Sequence, residues 1–199
     1  LEYRHLRQQA VGQILTIGQS KARELTHFLE QHIEDGELLM EDPFLPGALR
    51  AFMTEGDRTE TRAALAQMLR RHVGRRYQNA LVLDPAGRPL FSFTPRTPAV
   101  DAGIPPLLRQ AFAAQRPLLT DLHVDGQGGN PHYGLLVPFL ASDRTDAAPL
   151  AAVVLIRSAD AVIHPLLRSW PVPTLTAETT LSRRDGQEVL FLGPVRHQV

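Results

Sequence analysis

At Tyr77 the apolar pattern of this chain changes period, and that change limits what it can fold into. Before Tyr77 apolar residues recur at helical spacing. After it they come in short runs separated by turn residues, as in strands. The last three runs follow one another with short joins, too short to hold crossover helices, so those neighbouring strands are expected to be antiparallel. The expected fold is α/β (α+β): a helical first part, then a five-stranded antiparallel sheet flanked by helices.

The first part opens with residues 1–33, which contain no proline and read as one long helix. Val11, Leu15, Gly18, Ala22, Leu25 and Leu29 are spaced 4, 3, 4, 3, 4 along it, and Ile14, Ile17, Phe28 and Ile33 widen this seam. Such a seam packs either on its own domain or on a second copy of the chain, as a homodimer through the N-terminal helix. Glu34-Asp35-Gly36 is the expected stop. Asp42-Pro43 then predicts an N-cap with proline at the first helical position, and a short helix carrying Phe44, Leu49 and Phe52. After Gly56-Asp57, residues 59–76 place Leu65, Met68, Leu69, His72 and Val73 on one helix face.

In the second part, 79–83 and 90–93 flank a turn at Asp84-Pro85-Ala86-Gly87. The stretch 94–103, with Pro95 and Pro98, is loop, and Pro105-Pro106 opens a helix through Ala114. Strands are expected at 117–124, 132–140 and 150–158, then a helix at 161–169 and a linker at Trp170-Pro171-Val172-Pro173. A last hairpin is expected at 179–183 and 188–192 around Arg184-Asp185-Gly186-Gln187. The organisation that follows is a stalk helix at 1–34, a main domain at 35–169, and at 170–199 a linker with the first hairpin of an unfinished module. A two-stranded hairpin is marginal alone in water.

Composition narrows the function. Hydrophobic residues make up 43% of 199, ample for a core, and Lys+Arg and Asp+Glu both number 21. Zero net charge counts against a strong nucleic-acid binder. The cluster Arg70, Arg71, Arg75 and Arg76 suits the negative end of its own helix. With no cysteine there is no disulfide, thiolate metal site or cysteine nucleophile. The longest apolar run, 150–156, is far short of a membrane span. The chain starts at Leu1 without an initiator Met and reads as a piece of a longer protein.

The order of elements resembles a PAS-like sensor of the double Cache type. Residues 77–90, an aromatic, an apolar strand, an Asp…Gly turn and a second strand, resemble that family most. Residues 118–123 and 151–157 resemble its third and fifth strands, and 186–192 the opening of its membrane-proximal module. The resemblance implies the extracytoplasmic, periplasmic part of an inner-membrane signalling protein that binds a small molecule and is not itself an enzyme. It further implies output to a sensor histidine kinase, with a diguanylate cyclase or chemoreceptor as alternatives. Amine- and amino-acid-binding members carry an acidic residue where this chain has Arg157, and their tryptophan-tyrosine signature is missing. An organic anion is the natural complement of an inward Arg157, with His123 and Tyr133 as hydrogen-bonding neighbours and Asp121 orienting His123. Arg157 could instead turn outward and pair with Asp160.

Other chemistries find little support. Asp121, His123, Asp125 and His132 lie close enough in sequence for a divalent cation, but polar shoulders on a glycine-rich loop explain them as well. Ser92, Ser142 and Ser158 lack a nucleophile elbow, and Gly126, Gly128 and Gly129 lie between strands instead of before a helix. Neither a hydrolase nor a phosphate-binding loop is expected, and no cofactor. A purely structural dimerisation module is the remaining alternative.

Overall fold

The computed structural model describes residues 2–56, 58–74, 76–94, 103–124, 131–142, 147–170 and 178–192. The chain divides into two compact units, Gln31–Ser158 and a unit gathered from Leu1–Glu30 and Ala159–Val199.

Helix α1 (Glu2–Met40) begins in one unit and ends in the other, running seven residues past the expected end at 33. Gly36 is a point of contact and not a terminus. A Cβ there would lie 2.8 Å from Leu135 Cδ2 and 2.9 Å from Pro117 Cβ. A glycine in a helix interior costs roughly 1 kcal/mol relative to alanine. Leu39, 0% exposed one turn later, returns about 1.5–3 kcal/mol by burial, so the helix continues. Helix α2 (Leu45–Glu55) starts two residues later than the Asp42-Pro43 pattern predicts. Asp42 still supports its start, because Oδ1 accepts the N–H groups of Phe44 at 2.8 Å and Leu45 at 3.2 Å. Its Oδ2 lies 2.7 Å from Nε2 of His72 on α3 (Thr59–Val73), tying the two helices together.

The sheet is built from β1 (Asn79–Leu83), β2 (Pro89–Ser92), β3 (Leu118–Leu119), β4 (His123–Val124), β5 (Pro131–Leu140) and β6 (Pro149–Ser158). Its order is β2-β1-β6-β5-β3, every pairing is antiparallel, and β4 also pairs with β5. The single strand expected at 117–124 is therefore two short ones at one edge position. Between them Thr120 leaves the regular ladder: its N–H donates to the Gly134 carbonyl at 2.8 Å while its Oγ1 accepts the Gly134 N–H at 2.7 Å. The turn after β1 is held by the Asp84 carboxylate and by Gly87 at φ 88°, a left-handed value that suits glycine.

Both faces of the sheet are covered. Ala80, Val82, Leu135, Val137, Val153 and Leu155 pack with Leu39, Leu49, Phe52, Leu65 and Leu69 from α1, α2 and α3. Leu81, Leu83, Leu136 and Val154 pack with Ile104, Leu108 and Ala111 of α4 (Ile104–Ala114). Leu81 and Leu83 thus face the opposite side from Leu135, Val137 and Val153. The central strands read as continuous apolar runs because neither face meets water.

In the other unit, α5 (Ile163–Arg168) is shorter than expected, and β7 (Ser182–Asp185) pairs with β8 (Glu188–Phe191) around Gly186-Gln187. Gly186 has φ 62°, as a two-residue hairpin turn demands, and the first strand lies later than the expected 179–183 while the second starts at the expected 188. Lys21 of α1, largely buried, donates to Glu24 at 2.9 Å and to Ser169 Oγ at 2.7 Å. Of the expected linker at 170–173, only Trp170 falls among the described residues.

Candidate functional site

The start of β5 and the end of β6 decide which polar side chains meet. Tyr133 pairs with Arg157 and His132 with Ser158. Residues directly opposite in an antiparallel pair share a face, and successive residues alternate. Tyr133 and Arg157 therefore lie on the face that carries α1, with Leu135 and Leu155. His132, Gly134 and Ser158 lie on the α4 face.

On the α1 face, α1 contributes His32, buried within Gln31–Ser158. Its ring stacks on Tyr77, with centroids 5.2 Å apart and planes at 17°, and meets Tyr133 edge-on at 5.4 Å and 69°. Tyr77 Oη donates to Asp35 Oδ2 at 2.9 Å, which uses its one proton. The 2.9 Å contact between Tyr77 Oη and His32 Nδ1 is then a hydrogen bond donated by Nδ1–H. Arg76 Nη1 donates to Asp35 Oδ1 at 3.0 Å and Oδ2 at 3.3 Å.

The electrostatics agree with this assignment. Burial, and after it the Arg157 cation, lower the His32 pKa to about 4, with Asp35 opposing. The ring is neutral at ordinary pH, with its proton on Nδ1. Burial pushes the Tyr133 hydroxyl up to about 12, with Arg157 opposing. Tyr77 is pushed higher still, first by burial, then by its hydrogen bond to Asp35 and the charge of that carboxylate. Both hydroxyls stay protonated and serve as neutral hydrogen-bonding groups.

On the α4 face, His123 pairs with His132, their rings 4.1 Å apart at 64°. His123 Nδ1–H donates to the backbone carbonyl of Asp121 at 3.0 Å, so Asp121 orients His123 through its main chain while its side chain is exposed. A Cβ at Gly134 would meet Val154 Cγ1 at 2.9 Å, so this part of the face is tightly filled.

Of the four residues singled out from sequence, the structure brings Tyr133 and Arg157 together and sets His123 at the same strand ends but across the sheet, with Asp121 two residues before it. The carboxylate of Asp160 lies 2.6 Å from Nδ1 of His164, within its own unit. Among the described residues no three His, Asp or Glu side chains are placed to hold a metal ion, and Asp125 lies outside those residues. His32, Asp35 and Arg76 were not anticipated. Only the spacing of three between His32 and Asp35 was legible, because Tyr77, which joins them, lies 45 residues after His32.

No family model matches the chain, and no curated protein matches it in sequence. Solved structures do match. The sensor domain of the V. cholerae histidine kinase DctB superposes with a TM-score of 0.53 at 13% identity, over 81% of this chain and 59% of that one. The ligand-binding domain of the Pseudomonas fluorescens chemoreceptor CtaA, solved with L-isoleucine, gives 0.49 at 15% identity, over 83% and 63%. That of the Pseudomonas aeruginosa PAO1 amino acid chemoreceptor PctC, solved with GABA, gives 0.47 at 19% identity, over 78% and 63%. The chain spans about three-fifths of the length of these domains. The fold is the PAS-like, Cache-type fold of bacterial sensor domains. The DctB sensor domain shares that architecture at a level where sequence no longer speaks.

Proposed function

We propose that this chain is the ligand-sensing input domain of a membrane-bound signal-transduction protein, working outside the inner membrane and feeding a sensor histidine kinase. The observation that carries this reading is the fold shared with the DctB sensor domain, a sheet covered on one face by a long leading helix. No helix among the described residues is long and apolar enough to cross a membrane, so anchoring would lie elsewhere in the protein. In this reading β7–β8 opens a membrane-proximal module.

The ligand is a small organic anion held at the rim where β5 begins and β6 ends. Arg157 supplies the charge and Tyr133 beside it a neutral hydroxyl, while His123, oriented by Asp121, adds a polar ring from the other side of the rim. A guanidinium favours a carboxylate over an amine, because it pairs with opposite charge and repels its own. Capture would shift the balance between two arrangements of the domain, with no chemistry required.

Calorimetric titration of wild type and Arg157→Ala with a panel of small organic acids and amines tests this. Acids should bind the wild type and weaken at least about tenfold in the variant, the loss of one charge-assisted pair. Binding of amines in their place, or acid binding untouched by the substitution, would remove Arg157 from the site.

A second reading, a homodimer through α1, rests on one observation: Val11, Ile14 and Leu15 are 49%, 58% and 60% exposed along the seam. The two readings are compatible, since a sensor can also self-associate.

A further inference from the structure

On the α1 face, His32 is a buried titratable group that anion binding does not use. It is 1% exposed, yet a histidine is not needed merely to fill space between two tyrosines. Among the described residues, groups around it come from four places. Asp35 lies on its own helix, Tyr77 on the segment leading into β1, with Arg76 reaching Asp35, while Tyr133 comes from β5 and Arg157 from β6.

These surroundings suit the neutral ring. Nδ1–H donates to Tyr77, and Tyr77 directs its own proton to Asp35. A second proton on Nε2 would create a cation away from water, within the field of the Arg157 cation. Asp35 compensates only in part, since Arg76 already claims its carboxylate at 3.0 Å. A ring that must charge has one inexpensive escape, which is to leave the sheet together with the helix that carries it. The hold of α1 on that face lies close by, in Ile33, Leu39 and Met40.

We propose that His32 is a proton-operated lock on α1: protonation of its ring releases residues 31–40 from the sheet, making acidity a signal that this domain reads independently of any organic ligand.

The magnitude follows from linkage. The ring titrates at about 4 when α1 is docked and near the ordinary 6.5 once it is released. Protons therefore favour the released state. Between pH 7.5 and 5 the release constant rises about thirtyfold.

Hydrogen exchange of the whole chain, at pH 7.5 and 5.0 without organic acids and corrected for intrinsic exchange rates, tests this. Protection of residues 31–40 should fall about thirtyfold on acidification while β5 and β6 keep theirs. In His32→Asn, whose amide nitrogen can take the place of Nδ1–H, the fall should vanish. Arg157→Gln, which removes the opposing cation, should make it shallower, and this variant decides the matter if His32→Asn does not fold. A flat profile in the wild type overturns the proposal. So does an equal loss across all strands, an undiminished fall in His32→Asn, or an unchanged one in Arg157→Gln.

Discussion

Gly36 of α1 and Leu135 of β5 approach so closely that a single added methyl would stand 2.8 Å from the leucine side chain. This contact sets how tightly the helix lies on the sheet, and it turns the usual ranking of alanine over glycine around. Gly36→Ala should destabilise the protein by about 1–3 kcal/mol, the cost of overpacking, despite a gain of up to about 1 kcal/mol in helix propensity. Gly12 and Gly18 lie on the same helix, and a Cβ at either would meet nothing within 4 Å, so they should respond oppositely. Each alanine there should be neutral or stabilising by up to about 1 kcal/mol. Urea unfolding of the three variants checks the contrast.

The turn between β1 and β2 depends on Asp84. Asp84 is 4% exposed, and its carboxylate accepts the N–H groups of Ala86 at 2.9 Å and Arg88 at 2.8 Å, with Arg88 Nε at 2.6 Å. Burial works to raise its pKa, but the hydrogen bonds from Arg88 and Ala86 outweigh it and hold the group below the usual carboxylate range. A folded value below the unfolded one means a contribution present above the unfolded value and lost as pH falls through the folded one. Asp84→Asn should cost about 1–3 kcal/mol at pH 7, where a charge-assisted acceptor is lost. The gap to wild type should narrow below about pH 4, and denaturant midpoints across that range measure it.

Tyr77 links His32 to Asp35 through one hydroxyl. Tyr77→Phe keeps the ring stack but removes the acceptor of a buried imidazole N–H. A loss of about 1–3 kcal/mol is expected, the cost of an abandoned buried donor, where an exposed tyrosine would show almost none. Thermal unfolding at neutral pH reports it.

The α1 seam makes a prediction about assembly. Ile14 and Leu15 are more than half exposed, so neither is needed for the fold of its own unit. Sedimentation velocity should show a concentration-dependent dimer for wild type and a monomer for Leu15→Glu, with unchanged circular dichroism. A wild type that remains monomeric at high micromolar concentration removes the homodimer reading.

Much of the architecture was legible because it rests on local rules. The joins after 124 and 140 are too short for a crossover, so antiparallel order followed directly. Pro105-Pro106 marked the first turn of α4, which starts at Ile104, and Asp84 with Gly87 marked the first hairpin turn. Where local signals failed, distant contacts had overruled them. Gly36 looked like a helix end because sequence cannot show that Pro117 and Leu135 leave no room for a side chain there. The strand expected at 117–124 broke at Thr120 because its hydroxyl, in place of its carbonyl, takes up the Gly134 N–H.

The candidate site divides in the same way. Tyr133, His123 and Arg157 could be placed on strands from their neighbours in sequence. Which face each occupies depends on register, and register is set by pairing between strands: one residue of slip would carry Tyr133 to the α4 face and His132 to the α1 face. The enclosure of His32 depends on the same pairing together with the seating of α1, since Tyr77 and Tyr133 reach it from 45 and 101 residues away and the charge of Arg157 acts on it from another strand. Local composition determined the elements and their order. The burial of one imidazole, and with it the protonation state it can hold, exists only once those elements have packed.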